Sequence, residues 1–143
     1  MQISAKIHYG CLAMLELASR HEEDRPVALR EIVARHPIPQ PFLVQILQSL
    51  RTAGLITSTR GSSGGYRLTK SPCDISVLEI ATAIGCGDSM TTSGDFSNAN
   101  NHQEAVRQIW TRADQAARDI LAQTCLNDLM SACGENAAEM FYI

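Results

Sequence analysis

A mostly α fold with a small β-hairpin wing, continued by a long C-terminal helix, is what three features of the 143-residue chain predict. Through the first third, apolar residues recur at steps of three and four, the period of amphipathic helices. The glycine- and serine-rich segment Gly61-Ser62-Ser63-Gly64-Gly65 then separates two short runs suited to strands. Far downstream, a second apolar stripe returns after a polar interval. Two helices joined by a proline-marked turn and followed by a hairpin form a winged helix-turn-helix.

The first helix is expected to start after Ser4 as N-cap and to end near Arg20, with Ile7, Cys11, Met14, Leu15 and Ala18 on one stripe. A polar loop closed by Pro26 leads to a short helix, Leu29 to Arg35. His36-Pro37-Ile38-Pro39-Gln40-Pro41 cannot be helical throughout. Gln40 is read as the next cap and Pro41 as a first-turn residue, where its missing N–H does no harm. Phe42, Leu43, Ile46, Leu47 and Leu50 then define a strongly amphipathic helix that stops at Gly54. Strands are expected over Leu55–Thr59 and Tyr66–Thr69, and another helix over Ile75–Ile84, with Asp74 near its start. Residues 85–101 lack periodicity and read as a long loop. Asn101 is read as the cap of the long helix, with Glu104 as its capping-box partner. A short last helix from Thr124 and a docked or strand-like tail complete the chain. The resulting units are 1–84, a winged domain; 85–101, a loop; and 102–143, a helix and tail.

On the long helix Val106, Ile109, Trp110, Ala113, Ala117 and Ile120 form one regular stripe, with alanines that permit close approach. The stripe suits pairing with a symmetry mate to give a homodimer, or packing on its own domain.

Charge is uneven. Residues 1–72 carry nine Lys/Arg against five Asp/Glu, and residues 73–143 carry three against ten. From Pro39 to Pro72 there are Arg51, Arg60, Arg67 and Lys70 and no acidic residue. A basic front and an acidic rear suit a protein that meets double-stranded DNA on one side. Gln40, Val44, Gln45, Gln48 and Arg51 occupy the outward face of the second amphipathic helix. Glutamine can pair with an adenine edge, and arginine with a guanine edge or a phosphate. In the wing Arg60 is placed to enter a narrowed minor groove, while Arg51, Arg67 and Lys70 suit phosphates. A protein-binding module using the acidic rear half is the alternative.

Gly-Ser-Ser-Gly-Gly is not a nucleotide loop, because no Lys-Ser/Thr ending or helix follows it. No Ser/His/Asp order or metal-binding His-Glu-x-x-His supports an enzyme, and the four histidines are scattered. No apolar run reaches the ~18 residues of a membrane span, and the start lacks a secretory profile. A cytoplasmic protein without membrane partners is therefore expected. Five cysteines with no Cys-x-x-Cys pair read as free thiols, with Cys11, Cys125 and Cys133 as packing residues.

Ile3-Ser-Ala-Lys-Ile-His-Tyr-Gly10, Ala28-Leu-Arg-Glu-Ile32, Phe42-Leu-Val-Gln-Ile-Leu-Gln-Ser-Leu-Arg-Thr-Ala-Gly-Leu-Ile56 and Arg60-Gly-Ser-Ser-Gly-Gly-Tyr-Arg-Leu68 resemble the Rrf2 family of bacterial transcriptional regulators. The resemblance runs on through Ile75-Ser-Val-Leu-Glu-Ile80 and the helix around Trp110 to Thr124-Cys-Leu-Asn-Asp-Leu129. It implies a homodimer joined through the long helix and reading a palindromic operator as repressor or activator. It also brings Lys6, Tyr9, Gly61, Ser62, Ser63 and Tyr66 into the DNA-facing set. Two departures stand out. Many members have Glu where this chain has Val44. Cluster-binding members carry three close cysteines before the long helix, where this chain has only Cys86, and Glu104 stands about where the last would fall. One thiolate does not hold an iron–sulfur cluster, so no cofactor or metal is expected. An atypical cluster or thiol sensor using Cys86 and His102, a small-molecule effector pocket, and a protein-effector surface are the other uses open to this region.

Overall fold

Ser4 opens α1 (Ala5–Ser19), its hydroxyl accepting the Ile7 N–H at 3.3 Å, as expected of the cap. The computed structural model describes residues 3–85 and 100–141. A 3-10 turn (His21–Glu23) and Asp24, in left-handed backbone at φ 50°, lead to α2 (Leu29–Arg35). Ala28 offers α2 no capping side chain, so the Glu31 carboxylate reaches back to accept the Ala28 N–H at 2.8 Å. That bond, with Arg25 and Arg20 alongside, holds the Glu31 carboxyl below its ordinary range.

α3 (Gln40–Thr52) begins one residue before the sequence reading put it. Pro39 takes the cap, and Gln40 and Pro41 both lie in the first turn. The helix ends as a Schellman motif. Leu55 N–H donates to Leu50 C=O and Gly54 N–H to Arg51 C=O, both at 3.0 Å, with Gly54 at φ 79°.

Strands β1 (Ile56–Thr59) and β2 (Gly65–Leu68) form an antiparallel pair in which Ile56 faces Leu68 and Thr59 faces Gly65. Val27 lies on the other edge of β2, where it and Tyr66 exchange two backbone bonds of 2.9 Å. A Cβ on Gly65 would run into the Val27 carbonyl, so the base of the wing can seat only glycine there.

α4 (Val77–Ile84) starts two residues later than expected, because Ser76 forms a capping box with Glu79 through bonds of 3.1 and 2.9 Å. Asp74 belongs instead to a 3-10 turn, Pro72–Asp74. α5 (Asn101–Gln123) is likewise capped one residue early. Asn100 and Gln103 satisfy each other's backbone N–H at 2.9 and 3.0 Å. Glu104, free of that duty, accepts from Arg107 at 2.6 Å and from Gln108, which together hold its carboxyl down to about 2. α6 (Leu126–Phe141) is neither short nor followed by a strand at Glu139–Phe141, since the helix runs through those residues.

The core gathers Met14 and Leu17 from α1, Ile32 from α2, Leu43, Ile46, Leu47 and Leu50 from α3, Ile56 from β1 and Ile80 from α4. Leu126 joins it, fully buried, with its N–H on Ile75 C=O at 3.0 Å, while Val77 N–H donates to Thr124 C=O at 2.8 Å. The start of α6 is therefore stitched into the winged domain, whereas α5 buries none of its residues. Cys11 and Cys125 are half-buried, but Cys133 is exposed on α6 rather than packed: it follows Leu126 and Met130 on the same face of the helix, a turn beyond the residues that are covered. Burial pushes the Cys11 thiol up. Among the described residues no helix is long and apolar enough to cross a membrane.

Candidate nucleic-acid interface

Burial of Leu43, Ile46, Leu47 and Leu50 turns the opposite side of α3 outward, and Gln40, Val44, Gln45, Gln48 and Arg51 are all exposed there. Arg51 fixes this face to the wing: one guanidinium nitrogen donates to Gln48 Oε1 at 2.9 Å and another to Ser58 Oγ on β1 at 3.2 Å. Because arginine only donates, Gln48 must turn its oxygen toward Arg51, leaving its amide N–H₂ for an outside acceptor. Helix and hairpin thus present one surface.

At the wing tip Arg60, Gly61, Ser62 and Ser63 are exposed. Arg60 has neither an ion pair nor a hydrogen bond among the described residues, and the same holds for exposed Lys6 on α1. The other wing cations are engaged. Arg67 donates at 2.9 Å both to the Asp24 carboxylate and to its carbonyl. Lys70 reaches Glu79 at 3.0 Å. The Ser76 N–H, and then Lys70, keep the Glu79 carboxyl below its usual range. Exposed pairs of this kind are worth ~0–1 kcal/mol, so a phosphate can compete for these cations. Tyr66 is half-buried against the core, and Tyr9 is half-buried on α1 beside His8.

The sequence reading missed one residue that sets this geometry. Glu16, only 4 % exposed, is a buried charged residue that lies across α1 from the stripe of Ile7, Cys11 and Met14. Its carboxylate lies 3.0 Å from Arg20, 3.4 Å from His36 Nε2 and 3.8 Å from Arg35. Arg20 also reaches Glu31 at 2.8 Å. A buried carboxylate is tolerated only with such partners. Here it ties α1 to the end of α2 and to the turn that aims α3. Only Arg20, four residues on, is a local signal; the other two partners lie 19 and 20 residues away.

On α5 the whole predicted stripe is uncovered by its own chain apart from half-buried Ala117: Val106, Ile109, Trp110, Ala113 and Ile120 are exposed, Ile120 at 65 %. Next to it a shallow apolar cavity is lined by Ile3, Ala117, Ile120 and Leu121.

Cys86 lies outside the described residues, and His102 is exposed in the first turn of α5. Among the described residues no three His, Cys, Asp or Glu side chains gather closely enough to hold a metal ion. Cys11, Cys73, Cys125 and Cys133 are dispersed over α1, the turn before α4, the position just before α6, and the middle of α6. That donor set does not fit an iron–sulfur cluster, which takes four ligands.

Comparison with known proteins agrees with this geometry. The family model described as Rrf2, iron-dependent transcriptional regulator, matches residues 3–132. The chain is 35% identical to the HTH-type transcriptional regulator CymR of Bacillus subtilis, over the full length of both proteins. The solved structure of CymR, described as the global cysteine regulator of B. subtilis, superposes with a TM-score of 0.80 at 32% identity, covering 92% of this chain and 98% of that one. The IscR structure from T. potens gives 0.78 at 32% identity, covering 95% and 90%.

Proposed function

The chain belongs to the Rrf2 family of DNA-binding transcriptional regulators, which are not enzymes, and from that premise we propose that it acts as a homodimer on a palindromic operator, without an iron–sulfur cluster. Two winged domains related by a twofold axis seat α3 in successive major grooves and Arg60 in the flanking minor grooves. Gln45 and Gln48 face base edges, while Lys6, Arg51, Arg67 and Lys70 serve phosphates.

The observation that carries the reading is the surface shared by α3 and the wing. The segment from Pro39 to Pro72 supplies it with four cations and no carboxylate of its own, and Arg60 at the wing tip is unpaired among the described residues. Phosphate contacts release counterions, so affinity for operator fragments is expected to fall on the order of a thousandfold between 50 and 200 mM salt. A salt-independent affinity, measured by fluorescence anisotropy, would favour a protein partner over DNA.

The twofold assembly is supported by the bare apolar face of α5, which no part of the described chain covers. The reading without a cluster is supported by the sequence between α4 and α5, where Cys86 is the one cysteine. Protein purified without oxygen is expected to be colourless and free of iron. A brown preparation with stoichiometric iron would reverse this and direct attention to Cys86 and His102 as ligands.

A further inference from the structure

Val44 is out of place on the surface of α3. Gln40, Val44, Gln48 and Arg51 follow one another at steps of four, four and three, so Val44 lies at the middle of the outward stripe, with Gln45 beside it. It is 51 % exposed, at the flank of the face buried by Leu43, Ile46, Leu47 and Leu50. The core therefore gains little from its methyl groups. Helix propensity does not favour it either, since a β-branched residue loses side-chain freedom in a helix. An apolar side chain surrounded by amides and an arginine calls for an occupant that is mostly polar but carries an apolar group at one point.

Duplex DNA has that chemistry. The charge of the surrounding surface complements phosphate, and the floor of an unmodified major groove carries one apolar substituent, the thymine C5-methyl. The neighbours of Val44 strengthen the match. A glutamine that reads adenine reads a base whose partner is thymine, so the methyl projects into the groove within the same base pair. We infer that Val44 covers a thymine methyl next to an adenine read by Gln45, and that operator choice depends on this methyl. The inference rests on the DNA reading of α3 given above.

The test separates the two. Duplexes enriched from a random pool by the native protein are resynthesised with deoxyuridine replacing thymidine, one position at a time. This removes the methyl and keeps every hydrogen-bonding edge. At one position per half-site, affinity is expected to fall about fourfold, the worth of one buried methyl. V44A should fold as the native protein does, because the side chain is half exposed and alanine is the better helix former. It is expected to bind thymine and uracil duplexes equally. Native protein that selects sequences yet binds the uracil duplexes undiminished overturns the inference and leaves the DNA reading standing. So does V44A that keeps the full methyl preference. A native protein that enriches no sequence overturns both.

Discussion

Arg60→Ala is expected to weaken operator binding roughly thirtyfold for each wing engaged, the equivalent of about 2 kcal/mol for a charged hydrogen-bonding group, without changing thermal stability or oligomeric state. The two halves of this expectation come from the same observation. Arg60 is exposed at the tip of the hairpin and makes no ion pair or hydrogen bond among the described residues, so its removal takes nothing from the folded chain. Its guanidinium also breaks no existing pair when it meets DNA. Arg67 and Lys70 differ, because they must leave Asp24 and Glu79 first. Their alanine variants should lose less affinity than Arg60→Ala and lose it equally on all sequences. Titrating the three variants against one operator and one scrambled duplex checks the order. If Arg60→Ala bound the operator as the native protein does, the wing would have no role in recognition.

The order of elements was legible because each rests on a local rule. The stripe Leu43, Ile46, Leu47, Leu50 and the stop at Gly54 could be read without the structure, and both hold within a residue. The features that escaped depend on distance or on near-degenerate choices. Asn100 and Asn101 are both good caps, and only the backbone decides that the first one serves. Ile75 continues the apolar period of α4, yet Ser76 with Glu79 makes the stronger start. Glu16 lies across α1 from the stripe of Ile7, Cys11 and Met14, and in the sequence it reads as a solvated carboxylate; only the fold brings Arg35 and His36 beside it. The cations of the wing could be counted but not sorted, since Asp24 reaches Arg67 from 43 residues away. For the interface, then, sequence supplied the residue types, and folding decided which charges are already paired.

Trp110→Asp is expected to convert the protein to monomer and to abolish selective binding to a full operator. α5 spans 23 residues and buries none of them, although Ile109 and Trp110 leave 50 % and 44 % of their surface in water. Isolated helices gain most of their stability from packing an apolar face, so a helix left in this state needs a second surface. A copy of the same helix offers one with matching period, and twofold symmetry makes each substitution act twice. Placing a carboxylate in such an interface costs several kcal/mol unless it finds a partner, which raises the dissociation constant by on the order of a thousandfold or more. Sedimentation should then show single chains, and affinity should fall toward the non-specific range of about 10⁻⁴–10⁻⁶ M. Arg112, exposed on the other side of α5, provides the control: Arg112→Asp should remain a dimer. A Trp110→Asp protein that sediments unchanged would mean that something other than a second α5 covers this face, and the twofold reading of a palindrome would fall with it.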